Sequence, residues 1–137
     1  AGSVVRSSSI GADSTIGNNV SVELSVVGEG VSLLSGVTSQ MSVHMAESVT
    51  TATLITATML GREAFLAVGS QLTDFQLDGR SVSVLKDGHL IDTDNVFLGC
   101  CIWHRSRLAT GTILAPGRML LNDCRLTTSD AADEDRG

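Results

Sequence analysis

Large aliphatic residues recur along this chain at intervals of six. In the last run every position is six residues from the next: Val96, Ile102, Leu108, Leu114, Leu120 and Leu126. Nearer the N-terminus the same frame holds at Ile10, Ile16 and Val22, slips by one residue and resumes at Val27. A helix of 3.6 residues per turn would not place residues six apart on one face, so the period is not that of an amphipathic helix.

Small and turn-forming residues occupy a constant phase between the aliphatic positions. Gly or Ala often follows the aliphatic residue, as at Gly11, Gly28 and Ala109, and Asn, Asp or Gly is common in the next pair. These residues tolerate the positive φ of a tight bend. A bend every six residues predicts triangular coils of about 18 residues, stacked so that Val, Ile and Leu form a narrow continuous core.

The pattern resembles the hexapeptide repeat of left-handed parallel β-helix proteins. The predicted fold class is therefore all-β, a left-handed parallel β-helix. Composition agrees, because Ser, Thr and Val are abundant and only 3% of the residues are aromatic. A core of stacked aliphatic side chains has no need of large rings.

Two segments depart from the repeat. Over about 73–95 the corners are lost, and alternating apolar residues flank Asp87-Gly88, which predicts a protruding hairpin with a two-residue turn. Residues 127–137 hold no apolar residue larger than Ala and are predicted to be a disordered acidic tail. The remaining chain, 1–126, is expected to form a single β-helix domain.

Charge and composition exclude some classes of function. The net charge is −6, so a nucleic acid would meet no general positive field and is not expected as a partner. No apolar stretch approaches the roughly 18 to 20 residues of a membrane-spanning helix, and no signal peptide is visible. Three cysteines without CxxC spacing fit reduced thiols in the cytoplasm, and Cys100 and Cys101 are expected to alternate, one in the core and one outside.

A narrower resemblance involves the residues on both sides of the hairpin. Segments 73–77 and 97–118 are similar to the β-helix domain that follows the catalytic domain in bacterial sugar-1-phosphate nucleotidyltransferase-like proteins. The Gly-rich loop for a nucleoside triphosphate does not occur in the chain, so nucleotidyl transfer is not carried over. Many members of the β-helix class are acyltransferases with sites between the subunits of a trimer.

The resemblance therefore implies a homotrimer that transfers an acyl group to a sugar or sugar nucleotide. Acyl-CoA would be the co-substrate, and no cofactor would be bound covalently. The alternative is a non-catalytic β-helix module that oligomerises, regulates a nucleotidyltransferase or serves as a scaffold.

Acyl transfer needs a base for the acceptor, and histidine is the side chain best poised near neutral pH. His104, beside Trp103 at a predicted corner, is the first candidate. It is expected to project into a cleft that another chain or the hairpin helps to wall, with its ring held by an acceptor such as Asn122. His44 is the second candidate. It precedes Met45, which the repeat assigns to the core, and so is expected to point outward. For both residues, the alternative interpretation is a solvated histidine.

The sequence offers candidate residues for binding a phosphate group but none for binding a metal. Four arginines near the end of the repeat could hold a phosphate of a nucleotide or CoA, although a solvated face is the alternative: Arg105, Arg107, Arg118 and Arg125. Some β-helix enzymes, the γ-type carbonic anhydrases, bind zinc through histidines that include a pair close in sequence. No such pair occurs here, so no metal is expected.

Coil length and assembly give two further expectations. With 18 residues per coil, Arg105 lies beside Asp123 and Arg107 beside Arg125 on neighbouring coils. Only Glu47 carries full charge between Ser32 and Thr58. We interpret that stretch as a neutral face that other copies of the chain cover, which favours a homotrimer.

Overall fold

The computed structural model describes residues 1–127, and the described chain is built from strands without helix. In chain order the strands are β1 (Val4–Arg6), β2 (Ser9–Ile10), β3 (Thr15–Ile16), β4 (Ser21–Glu23), β5 (Val26–Val27), β6 (Ser32–Leu33), β7 (Thr38–Gln40), β8 (Val43–His44), β9 (Val49–Thr50), β10 (Leu54–Thr56), β11 (Met59–Leu60), β12 (Phe65–Leu66), β13 (Gln71–Leu72), β14 (Ser83–Lys86), β15 (His89–Asp92), β16 (Cys101–Ile102), β17 (Arg107–Leu108), β18 (Ile113–Leu114), β19 (Met119–Leu120) and β20 (Arg125–Leu126).

Eighteen of these strands form three parallel sheets of six strands each. Face A contains β1, β4, β7, β10, β13 and β18; face B contains β2, β5, β8, β11, β16 and β19; face C contains β3, β6, β9, β12, β17 and β20. Successive strands pass from A to B to C and then to the next coil, so the chain winds through six stacked coils. This architecture is a parallel β-solenoid and confirms the predicted β-helix; its left-handed sense stays a prediction.

Coil length differs from the expected 18 residues. On face B, Ser9 pairs with Val26 and Val26 with Val43, a spacing of 17, while Val43 pairs with Met59 at 16. Only the last coil has 18, where Cys101 pairs with Met119. The uniform coil length is therefore wrong for the first four coils.

The shorter coils result from the corner between faces A and B, and the 16-residue third coil loses a second residue at the corner between faces C and A, where the inward residues Thr50 and Ile55 are five apart. In coils one to four a single non-glycine residue with positive φ makes this corner: Ser7, Leu24, Met41 and Ala57. Inward positions across it, such as Ser39 and His44, are then five residues apart instead of six. This loss of one residue brings His44 into the interior, where it is 1% exposed, so the expectation that His44 points outward is wrong.

The aliphatic core lies along the axis of the solenoid in two clusters. Six residues of the second coil and its corners form one cluster: Val20, Val22, Val27, Val31, Leu33 and Val37. Eleven residues from Ile55 to Leu126 form the other. Cys100 belongs to the second cluster and Cys101 is half-buried outside it, which confirms the predicted alternation.

The interruption of the repeat is a hairpin that leaves the solenoid after β13. Strands β14 and β15 are antiparallel, and Asp87-Gly88 forms the turn between Lys86 and His89. We call this hairpin the arm. Phe75 and Phe97 stack with ring centroids 5.4 Å apart where the chain leaves and returns. The predicted hairpin is thus confirmed, whereas the predicted tail lies outside the described residues from 128 onward.

Within residues 1–127, no helix is long and apolar enough to cross a membrane.

Candidate functional site

His104 lies at the corner between faces B and C, directly after Trp103. Its ring Nδ1 accepts a hydrogen bond from the backbone N–H of Arg62 on the preceding coil, at 2.9 Å. Asn122 holds the backbone of His104 instead of the ring, because its Oδ1 accepts the His104 N–H at 3.0 Å. The ring is therefore oriented, but by a partner other than the one expected.

This hydrogen bond decides where the proton sits on the neutral ring. Nδ1 accepts, so Nε2 carries the hydrogen and is a donor. A general base needs a free lone pair directed at its substrate. In this tautomer the outer nitrogen of His104 can donate to an acceptor but cannot take a proton.

The surroundings of His104 form a shallow open depression. Trp103, His104, Leu121 and Asn122 line it, and the arm contributes no residue to its wall. The Trp103 and His104 rings meet edge to face, with centroids 5.8 Å apart. The arm therefore does not wall the expected cleft, and a wall supplied by another chain stays a prediction.

His44 is held inside the solenoid. Its Nε2 lies 2.7 Å from Oγ of Ser39, which is also buried. Burial lowers the pKa of His44 from 6.5 to about 4. An enclosed imidazole between packed coils has no access to an external acyl acceptor.

The four candidate arginines lie in different places. Arg105 and Asp123 form a bidentate ion pair, with Nε–Oδ1 at 2.7 Å and Nη2–Oδ2 at 3.1 Å, which confirms the predicted contact. The hydrogen bond from Arg105 lowers the pKa of the Asp123 carboxyl. This pair lies at the corner between faces B and C.

The other three arginines do not join that pair in one site. Arg107 and Arg125 are paired on face C as predicted, and the Arg107 guanidinium lies 5.8 Å from the centre of the Phe65 ring. Arg118 borders face B, next to Met119. The structure does not bring the four guanidinium groups together around one phosphate. Among residues 1–127, no group of three or more His, Cys, Asp or Glu could hold a metal ion.

The neutral stretch from Ser32 to Thr58 is not a single face. It contains β6 and β9 on face C, β7 and β10 on face A, and β8 on face B. The interpretation of this stretch as one strip of surface is therefore wrong, because one coil of 16 or 17 residues visits all three faces.

A continuous apolar strip instead runs along the outside of face B. We call it the face B strip, and its members are the outward residues of five consecutive strands: Val26, Val43, Met59, Cys101 and Met119. Val26 is 53% exposed and Met119 41%. Burial raises the pKa of the Cys101 thiol, so this residue is a neutral member of the strip.

The arm and the neighbouring corner extend the strip into a groove of about 390 Å³. Met41 borders it on one side and Val84 of the arm on the other, with Met59 and Met119 between them. Sequence reasoning missed this surface because its members are 16, 17, 18 or 42 residues apart. The register between coils is the signal that brings them together.

No model of a known protein family matches the chain, and no curated protein is significantly similar to it. The architecture itself, a parallel β-solenoid with one protruding arm, defines the class of this protein.

Proposed function

We propose that this chain is a non-catalytic β-helix module that assembles with copies of itself through face B, as a homotrimer with parallel solenoids. The observation that carries this proposal is the face B strip, which contains no charged side chain. Interfaces between identical subunits are more apolar than the remaining surface and are depleted in charge.

A second copy of the chain is the partner that best fits the face B strip. The chain carries a net charge of −6, so two copies repel each other over most of their surfaces. Face C, by contrast, exposes Arg107 and Arg125, and face A exposes Arg6 and carries the half-buried Glu23. A neutral strip about 19 Å long, from five strands about 4.8 Å apart, is where two such copies can approach closely.

Acyl transfer from acyl-CoA to a sugar or sugar nucleotide is the second candidate. His104 favours it, because Arg62 fixes the ring beside Trp103 at the surface. The tautomer of His104 weighs against acyl transfer, because its outer nitrogen, Nε2, carries the hydrogen and cannot act as the general base. The four arginines are also dispersed, which removes a common anchor for CoA. For the compartment we propose the cytoplasm, since Cys101 and Cys124 are free thiols.

Sedimentation equilibrium at micromolar concentration tests the self-association. We expect the wild type to be a trimer and Met59→Glu to be a monomer, since a carboxylate in the middle of the strip would be buried without a partner. Leu54→Glu is the matched control. Leu54 is exposed on face A of the same coil, so this variant adds the same charge and should remain a trimer.

A monomeric wild type would overturn the proposal, as would equal effects of the two glutamates in variants whose circular dichroism is unchanged. Calorimetric titration with acetyl-CoA separates the two candidate functions. Heat of binding that is lost in His104→Ala would favour the enzyme, whereas the proposed module gives no heat.

A further inference from the structure

A layer of three polar residues crosses the interior of the solenoid in its third coil. The inward position of β7 is Ser39, that of β8 is His44 and that of β9 is Thr50. Their exposed fractions are 0%, 1% and 0%. In every other coil the inward positions of the three faces are aliphatic.

Aliphatic layers enclose this polar layer on both sides. On the preceding coil the register places Val22, Val27 and Leu33 beside it, and on the following coil Ile55, Leu60 and Leu66. The polar layer is thus the boundary between the two hydrophobic clusters. The N-terminal cluster has six buried residues and the C-terminal cluster eleven.

The polar atoms of the layer are only partly satisfied. His44 Nε2 lies 2.7 Å from Ser39 Oγ, which in turn lies 3.4 Å from Ser25 Oγ. His44 Nδ1 and Thr50 Oγ1 are buried and have no hydrogen-bond partner. A proton added to Nδ1 would therefore find no acceptor in the layer.

No charged or titratable group faces His44 from the elements around it. Its neighbours are Val27 on β5 and Leu60 on β11 along face B. Face A contributes valine, serine and isoleucine, and face C leucine and threonine. A carboxylate that would stabilise an imidazolium is not among these residues. An unpaired buried charge is strongly unfavourable.

We propose that the layer of Ser39, His44 and Thr50 is an acid-sensitive joint, at which protonation of His44 separates the N-terminal coils from the rest of the solenoid. The N-terminal coils unfold first because their core is smaller and its first coil is open to solvent. Val5 and Ile10, the inward residues of that coil, are 45% and 36% exposed. The proposal does not rest on self-association.

The direction of the pH effect follows from the lowered pKa. The neutral ring is favoured in the folded state, where the pKa is about 4, and the unfolded chain takes up a proton at about 6.5. The stability from neutral His44 is complete above pH 6.5 and is lost as the pH falls towards 4. Between pH 7 and pH 5 the opening constant of the joint should rise about 20-fold, from these two pKa values.

Hydrogen exchange of the full chain, corrected for the intrinsic pH dependence of exchange, tests the joint. At pH 5 we expect the amides of β4–β9 to exchange about 20-fold faster relative to pH 7. The amides of β16–β20 should keep their protection. His44→Gln should abolish the difference between the two pH values, and His44→Leu provides a second non-titrating variant that packs against Leu60.

His89→Gln is the matched control, because His89 is exposed in the arm and its removal should leave the wild-type response. An equal pH response in wild type and in both His44 variants would overturn the proposal. Simultaneous loss of protection in β4–β9 and β16–β20 would do so as well, because the joint would then not divide the molecule.

Discussion

At the level of single residues, hydroxyl groups at one corner of the solenoid account for part of the Ser and Thr content of the chain. At the corner between faces A and B, each hydroxyl donates to the carbonyl two residues earlier and accepts an N–H from the next coil. This ladder consists of Ser8, Ser25, Ser42 and Thr58. Buried polar groups are tolerated where they are hydrogen-bonded, so these residues stabilise the corners.

Thr50 and Thr58 give opposite predictions for the same substitution. Thr50→Val removes a buried hydroxyl without a partner and should raise the free energy of unfolding by about 1 kcal/mol. Thr58→Val leaves the Cys100 N–H and the Thr56 carbonyl without their hydroxyl partner and should lower it by about 1–3 kcal/mol. Urea denaturation at pH 7 measures both. Equal destabilisation by the two variants would mean that the Thr50 hydroxyl does have a partner.

At the level of elements, the close approach of two coils explains why residue 61 is a glycine. Gly61 lies at the corner between faces B and C, one coil before His104. A Cβ on Gly61 would lie 2.6 Å from the backbone N of His104 and 2.6 Å from the carbonyl carbon of Trp103. A Cβ on Gly28, at the same corner two coils earlier, would have its nearest contacts at 3.1 Å. The backbone of His104 is thus packed directly on Gly61.

The two glycines should respond differently to alanine. Gly61→Ala forces backbone apart and should lower the free energy of unfolding by about 1–3 kcal/mol. Gly28→Ala requires the neighbouring backbone to shift by only a few tenths of an ångström, so it should lower the free energy of unfolding less than Gly61→Ala does. Urea denaturation gives the energies, and the ring resonances of His104 should move only in Gly61→Ala. A larger loss in Gly28→Ala would contradict the described contact.

At the scale of the whole molecule, the coils are not equally stabilised. In a solenoid each repeat contacts only its neighbours, so stability is a sum over coils and the interfaces between them. Ile10 and Ile102 occupy the same inward column of face B. Ile10 in the first coil is 36% exposed, whereas Ile102 in the fifth coil is fully buried.

Alanine substitution of these two isoleucines should show the difference. Ile102→Ala leaves a cavity between two packed coils and should lower the free energy of unfolding by about 2–5 kcal/mol. Ile10→Ala should cost about 1 kcal/mol or less, because much of the side chain is already in contact with solvent. Thermal and urea denaturation of both variants provide the comparison. Similar losses would indicate that the first coil is covered.

Features that depend on residues close together in the chain could be predicted from the sequence alone. The six-residue period and its turn formers predicted the stacked coils, and Asp87-Gly88 predicted the arm. The contact of Arg105 with Asp123 was also correct, because the last coil keeps the full 18 residues. Local turn chemistry and burial of apolar side chains carry this information.

Which residues share a face or the interior depends instead on how the coils stack in three dimensions. Omission of one residue at the corner between faces A and B turns His44 inward, and the omissions add up from coil to coil, so a fixed period cannot place the face B strip. The tautomer of His104 likewise depends on the Arg62 N–H, 42 residues earlier in the chain. These features depend on hydrogen bonds between coils, which connect residues far apart in sequence and are set by the length of every corner between them.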